Sequence, residues 1–369
     1  MSRRRYSYTP RRTGRPVGPG RIPDRTSFPL LPVMLITGCV LVAVGVLAGG
    51  GAGSAPTGGP STRVLSASDG PQPLPQTVAD AADAPEAAPV AVEETIVPGD
   101  DPPPTITGGA AVVMEDPCGA VLHSLNPHSP LPPASLTKIA TALVAVDYLD
   151  MNQVIDVNID GGALSMQTDA TVMGLKPGQR LSLTDLIGGM MMRSGNDAAI
   201  TIAEAVAGSE EAFADLMNQK AAALGLEDTH FANSHGLDDP QHYTSAFDIA
   251  VLGQQLLRNP RLAQIVQSKS YTPNWDGGSL QNINLLLGNY PGAIGIKTGY
   301  TDLAGATIVG AAERYGRRLV VSVLQSGDPY VDASALLDWA FHNTEPACSG
   351  PAQAQAAEIP AAQVAVAGR

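Results

Sequence analysis

The pattern of the chain predicts an α/β protein of the α+β kind, an antiparallel sheet flanked by helices with a helical subdomain between its strands. Three observations carry this. Short apolar runs of strand composition stand at both ends of one region, within 110–125 and again within 293–325. The stretches between them have helical spacing, and a last helical stretch follows the final strand. A sheet built from both termini of the domain, packed on helices, fits that order.

Ahead of this region, residues 1–27 hold eight arginines against one acid, Asp24, and read as a basic cytoplasmic tail. Residues 28–48 carry no charge, and about 20 apolar residues suffice to cross the hydrocarbon core. Arginines on the inside put the remainder outside. The expected localisation is therefore the cell membrane, single-pass, held by an N-terminal transmembrane helix acting as an uncleaved signal anchor. Two other outcomes stay open. Cleavage near Ala52-Gly53-Ser54-Ala55 would release a secreted protein, and Ile36-Thr37-Gly38-Cys39 resembles a lipoprotein box, although apolar residues continue past its cysteine. Residues 49–104, rich in Gly, Ala, Pro, Ser and Thr, read as a disordered linker, and 344–369 as a disordered tail. One domain, 105–343, lies between them. The chain's −13 less the +7 of its basic tail leaves −20 on the rest, which argues against nucleic acid as a partner.

Within the domain, 110–114 and 120–125 flank Glu115-Asp116-Pro117-Cys118-Gly119 and predict a hairpin. Pro132-Pro133 then holds the backbone extended before a run without breakers, so Ser135 is expected in the first turn of a helix reaching Leu149. Further helices are expected over 182–192, 197–207, 210–224 and 245–257. Strands follow at 293–298, 304–312 and 318–325, the last two joined by Arg314-Tyr315-Gly316-Arg317, and a helix at 330–342 closes the domain.

Three short motifs carry chemistry. In Ser135-Leu136-Thr137-Lys138 the lysine lies one helical turn from the serine on the same face. A partly desolvated amine there can take the proton of a hydroxyl that is otherwise a poor nucleophile. Ser194-Gly195-Asn196 falls in a loop between two helices, and Lys297-Thr298-Gly299 closes an apolar strand. In the last motif the lysine can bind a carboxylate, the threonine can donate a hydrogen bond, and the glycine lets a substrate backbone approach. Each motif alone is common, but S-x-x-K, S-x-N and K-T-G in this order form the set of active-serine penicillin-recognising enzymes.

With Leu131 to Lys138, Ser194 to Ala199, His235-Gly236-Leu237-Asp238-Asp239 and Gly295 to Asp302, the chain resembles the low-molecular-mass D-alanyl-D-alanine carboxypeptidases among the penicillin-binding proteins. The resemblance implies a β-lactamase/transpeptidase-like fold and a serine peptidase that trims the terminal D-alanine from the peptidoglycan stem pentapeptide. It also implies acylation by β-lactam antibiotics. By the same resemblance Ser135 is the nucleophile, Lys138 its base and Ser194 a proton relay. Asn196 holds the substrate amide and Lys138, while Lys297 and Thr298 hold the terminal carboxylate. The backbone N–H groups of Ser135 and Tyr300, beside Gly299, form the oxyanion hole. Many relatives carry histidine where this chain has Tyr300, and a backbone donor does not depend on that side chain. A class A β-lactamase would need a glutamate in E-x-x-L-N, which the chain lacks. An inactive peptidoglycan-binding module would not need the intact serine and lysines.

No metal or other cofactor is expected, since His230 and His235 have no third ligand nearby in sequence. Cys118 and Cys348 both lie on the oxidising side, in the first hairpin's turn and just past the last helix. A disulfide between them is expected, with two free thiols as the alternative.

Overall fold

The computed structural model describes residues 101–348. The basic tail, the apolar span at 28–48, nearly all of the linker and residues 349–369 lie outside the described residues. In chain order the elements begin with β1 (Ala110–Asp116), β2 (Ala120–Leu125), a 3-10 turn (Ala134–Thr137), α1 (Lys138–Tyr148), β3 (Val154–Asp156), α2 (Gly161–Thr168) and β4 (Arg180–Ser182). Then come α3 (Leu183–Met192), α4 (Asn196–Ala207), α5 (Glu210–Ala223), α6 (Ala246–Arg258), α7 (Pro260–Gln267), β5 (Ser270–Tyr271) and β6 (Leu280–Gln281). The last are α8 (Leu286–Asn289), β7 (Ala293–Thr301), β8 (Gly305–Arg314), β9 (Arg317–Ser326) and α9 (Pro329–Asn343).

Five strands form one antiparallel sheet in the order β2-β1-β9-β8-β7. Both of its faces are buried. Alternate residues of β1 divide between two cores: Ala110, Val112 and Met114 pack with the helical insertion, and Ala111 and Val113 with Leu336, Leu337 and Ala340 of α9. Double burial explains why β1, β8 and β9 read as continuous apolar runs rather than as an alternation. Among the described residues the order also leaves β7 at one edge, with no strand on its outer side.

Helix starts follow local chemistry. Ser182 and Asp185 close a capping box at α3, Ser245 caps α6, and Asp328 caps α9 ahead of Pro329. Asn259 caps α7, whose first residue is Pro260. That proline reads from sequence as a stop, so α7 is absent from the expected elements, as is the weakly apolar α2. The turn between β8 and β9 is shorter than expected, since only Tyr315 and Gly316 stand outside the strands, at φ 57° and 75°.

The domain extends past both expected boundaries. Trp339 donates its indole N–H to the Asp101 carbonyl at 2.8 Å, which holds the last expected linker residues against α9. Beyond 343, where a disordered tail is expected, Arg317 donates to the Thr344 carbonyl at 2.7 Å. The Ala347 N–H donates to Glu115 Oε2 at 2.9 Å, and Cys348 is bonded to Cys118 with their Cα atoms 5.5 Å apart. Among the described residues no helix is long and apolar enough to cross a membrane.

Candidate active site

Three pieces of chain, together with the loop that carries His235 and Gly236, meet around Ser135 and Lys138. The first is the turn that holds Ser135, which is 3-10 where an α-helical turn is expected, with α1 starting only at Lys138. Ala134, which opens it, has φ 50°, a left-handed conformation that costs a non-glycine residue about 1–2 kcal/mol and persists where neighbours hold it. Thr307 on β8 donates to the Pro133 carbonyl at 3.1 Å, and Thr137 donates to the Ala134 carbonyl at 2.9 Å.

The second piece is the edge strand. β7 brings Gly299 so near that a Cβ there would lie 2.8 Å from the Ser135 nitrogen and 2.6 Å from the Thr307 hydroxyl. Glycine is demanded by space. On the far side of the turn Gly236, at φ 92°, allows no Cβ either, because one would run into the Ala134 carbonyl. The strand's end is tied to the same loop, where Thr301 donates to Asp238 Oδ1 at 2.7 Å.

The third piece is the start of α4, which meets Lys138. The amine of Lys138 is fully buried and lies 2.8 Å from Ser135 Oγ, 2.8 Å from Asn196 Oδ1 and 2.6 Å from the His235 carbonyl. No carboxylate touches it among these partners. Burial, reinforced by the charge of Lys297, pushes its pKa well below that of an ordinary lysine, while Asp197 opposes the shift. A neutral amine has two N–H bonds and one lone pair. Two of its three neighbours are oxygens that only accept, so in the neutral form both N–H bonds would go to them and the lone pair would face the Ser135 hydroxyl.

Ser194 sits between α3 and α4 at φ 62° and is 5% exposed. The residue that shapes this loop is one the sequence reading assigned no role. Asp197 is fully buried and accepts from the backbone N–H groups of Met173, Gly174, Leu175 and Ala198, each at 2.9–3.0 Å. An acid in the first turn of a helix ordinarily reads as favouring the helix dipole; here it also ties residues 173–175 against the Ser194 loop.

Lys297 is 1% exposed and donates to the Thr298 carbonyl at 2.6 Å. Burial pushes its pKa down to about 7. Thr298 is half-buried beside it, and the Tyr300 side chain is 68% exposed, its hydroxyl 3.3 Å from Asp302. Direct bonds thus join Ser135, Lys138 and Asn196, Gly299 packs on Ser135, and Ser194 stands two residues before Asn196 in the chain. Cys118 and Cys348 belong instead to the β1–β2 turn and the C-terminal end of the domain. Among the described residues no three His, Cys, Asp or Glu side chains are grouped to hold a metal ion.

A family profile described as D-alanyl-D-alanine carboxypeptidase matches residues 98–327. The D-alanyl-D-alanine carboxypeptidase DacB2 of Mycobacterium tuberculosis is 38% identical over 240 residues, covering 62% of this chain and 81% of the relative. DacD of Salmonella typhimurium is 36% identical over 253 residues, covering 65% of this chain, which spans 64% of that relative's length. The crystal structure of a D-alanyl-D-alanine carboxypeptidase from Mycobacterium tuberculosis H37Rv superposes with a TM-score of 0.63 at 35% identity, over 68% of this chain and 97% of the other.

Proposed function

The chain belongs to the D-alanyl-D-alanine carboxypeptidase family of penicillin-binding serine peptidases, and from that premise we propose the reaction and the part each residue takes in it. The substrate is a peptidoglycan stem peptide ending in D-Ala-D-Ala. Its terminal carboxylate is held by protonated Lys297 and by Thr298, and its backbone lies along the edge of β7, as an extended peptide adds to a sheet edge. Neutral Lys138 takes the Ser135 proton as Oγ attacks the carbonyl of the penultimate D-alanine. The resulting oxyanion is met by the N–H groups of Ser135 and Tyr300, donors aimed at charge that develops in the transition state. Ser194 passes a proton to the leaving nitrogen, D-alanine departs, and water hydrolyses the acyl ester on Ser135. Penicillins enter as acylating analogues of the same dipeptide.

One observation carries this reading: a fully buried lysine amine 2.8 Å from the Ser135 hydroxyl, whose two other neighbours are oxygens that only accept, with no carboxylate among these partners. The test is mass spectrometry of the protein with a pentapeptide and with benzylpenicillin. Loss of one alanine from the peptide and an adduct on Ser135 are expected. An adduct on any other residue would overturn the assignment, and rapid hydrolysis of penicillin would point to a β-lactamase instead.

The proposed location is the outer face of the cytoplasmic membrane, with residues 28–48 as the anchor. The eight preceding arginines and the lack of charge in that span support it. Recovery of the full-length chain in the soluble fraction would count against it.

A further inference from the structure

The proposed oxyanion donor and the Ala134 carbonyl belong to one peptide unit. In a trans peptide the C=O and the N–H point in opposite directions, so whatever holds the carbonyl aims the N–H. The Ala134 carbonyl is held by the Thr137 hydroxyl at 2.9 Å, and Thr137 Oγ1 lies 2.7 Å from His242 Nε2. The ring's other nitrogen, Nδ1, accepts from the Ala232 N–H at 2.9 Å. In a neutral imidazole that leaves the hydrogen on Nε2. His242 therefore donates to Thr137, and the hydroxyl's own hydrogen is left for Ala134. In the opposite tautomer Nε2 would accept, draw the Thr137 hydrogen to itself and release the carbonyl.

We propose that His242 and Thr137 are positioning residues whose relay, Ala232 N–H to His242 to Thr137 to the Ala134 carbonyl, aims the Ser135 N–H at the oxyanion. The inference rests on the reading of Ser135 as the nucleophile. The imidazole is 3% exposed and packs edge-on against Phe231; burial pushes its pKa down to about 4, which keeps it neutral at working pH. Thr137 is fully buried. A polar ring taken out of water needs partners for both nitrogens, and one of the two partners it finds here is the side chain that grips the left-handed residue before the nucleophile. The loop that carries His242 also supplies the His235 carbonyl to Lys138 and packs Gly236 on Ala134. It therefore meets the Ser135 turn and α1 at three points.

The test uses the full-length chain, an acyl ester substrate and its thiono analogue, in which sulfur replaces the carbonyl oxygen and accepts hydrogen bonds poorly. In Thr137→Val, kcat for the ester should fall about tenfold to a hundredfold, because misaiming a donor approaches the cost of losing one. KM should change little, since the oxyanion exists only in the transition state. The oxygen-to-sulfur rate ratio should collapse toward unity, and Thr137→Ser should restore both rate and ratio. Thr137→Ala should behave like Thr137→Val and serves if that variant does not fold, while His242→Phe, which keeps a ring against Phe231 but leaves the Thr137 hydroxyl able to donate, should show the same changes at smaller size. A fall in kcat with an unchanged oxygen-to-sulfur ratio, or wild-type kinetics in Thr137→Val or His242→Phe, would overturn the relay. Persistent labelling of Ser135→Ala by a fluorescent penicillin would instead overturn the nucleophile assignment beneath it.

Discussion

Arg317 and Lys138 are both cations withdrawn from water, and the protein treats them in opposite ways. At the β1–β9 seam the Arg317 guanidinium reaches both carboxylate oxygens of Glu115, at 3.3 and 2.8 Å, and donates further to the Thr344 carbonyl and hydroxyl. Glu115 also accepts from the Ala347 N–H, so donors and acceptors match and the pair fastens the C-terminal residues to the sheet. Lys138 has neutral oxygens around it instead. Arginine keeps its charge in any surroundings and, beside a carboxylate, serves structure, whereas a buried lysine without a carboxylate beside it is driven toward the neutral amine, the form the proposed base requires. A buried cation's part depends on its own basicity as well as on its neighbours.

The largest departure from this picture is expected at the base. Lys138→Met should slow acylation by penicillin about a hundredfold to ten-thousandfold, the range of a lost general base. Its melting temperature should move less than that of Arg317→Met, because two carbonyl acceptors losing a donor cost less than a carboxylate losing its cation. A stability loss equal to that of Arg317→Met would erase the distinction between the two sites.

Arg317→Met leaves Glu115 buried without its cation, a loss of about 3–5 kcal/mol in urea unfolding, and kcat per folded molecule should stay at the wild-type value. Removing Glu115 as well, in Glu115→Leu/Arg317→Met, should recover most of the stability. If the double variant is no more stable than the single one, the unpaired charge is not the cause.

Reduction of the Cys118–Cys348 bond acts on the same seam. Its sequence separation of 230 residues suggests up to about 5 kcal/mol in the chain-entropy model, against the typical yield of about 2–4 kcal/mol. The melting temperature should drop under reductant while turnover at 25 °C persists. Loss of turnover on reduction at that temperature would show that the two regions are coupled.

The smallest effect concerns Lys297. Lys297→Ala should weaken reaction with D-Ala-D-Ala acids about tenfold, the scale of a charge-assisted bond, and leave C-terminal amides untouched. Because burial lowers its pKa to about 7, reaction with acid substrates should decline as pH rises through that value. Stability moves the other way. Between about 7 and the ordinary lysine range the unfolded chain holds a proton that the folded one does not, so unfolding free energy should rise with pH across that window. An unfolding free energy with the same pH slope in wild type and Lys297→Met would exclude Lys297 as its source.

Much of this molecule is legible in local pattern. The strands at both ends of the domain, α3 to α6 and α9 follow from spacing and caps within a few residues of one another, and Ser135 and Lys138 share a face because they are three residues apart. The proline-started α7 and the weakly apolar α2 escape such a reading because their local signals resemble those of loops. Order and spacing alone determined the sheet built from both termini, the insertion between them and the three motifs with their family resemblance. Tertiary structure alone decided that Lys138 would be fully buried against Asn196 and His235, 58 and 97 residues away, and that Arg317 would meet Glu115 across 202 residues. It also decided that His242 would reach Thr137, 105 residues away. Protonation state and hydrogen-bond direction are set by burial and by which acceptors face a group, and those neighbours arrive from distant elements that no local window contains.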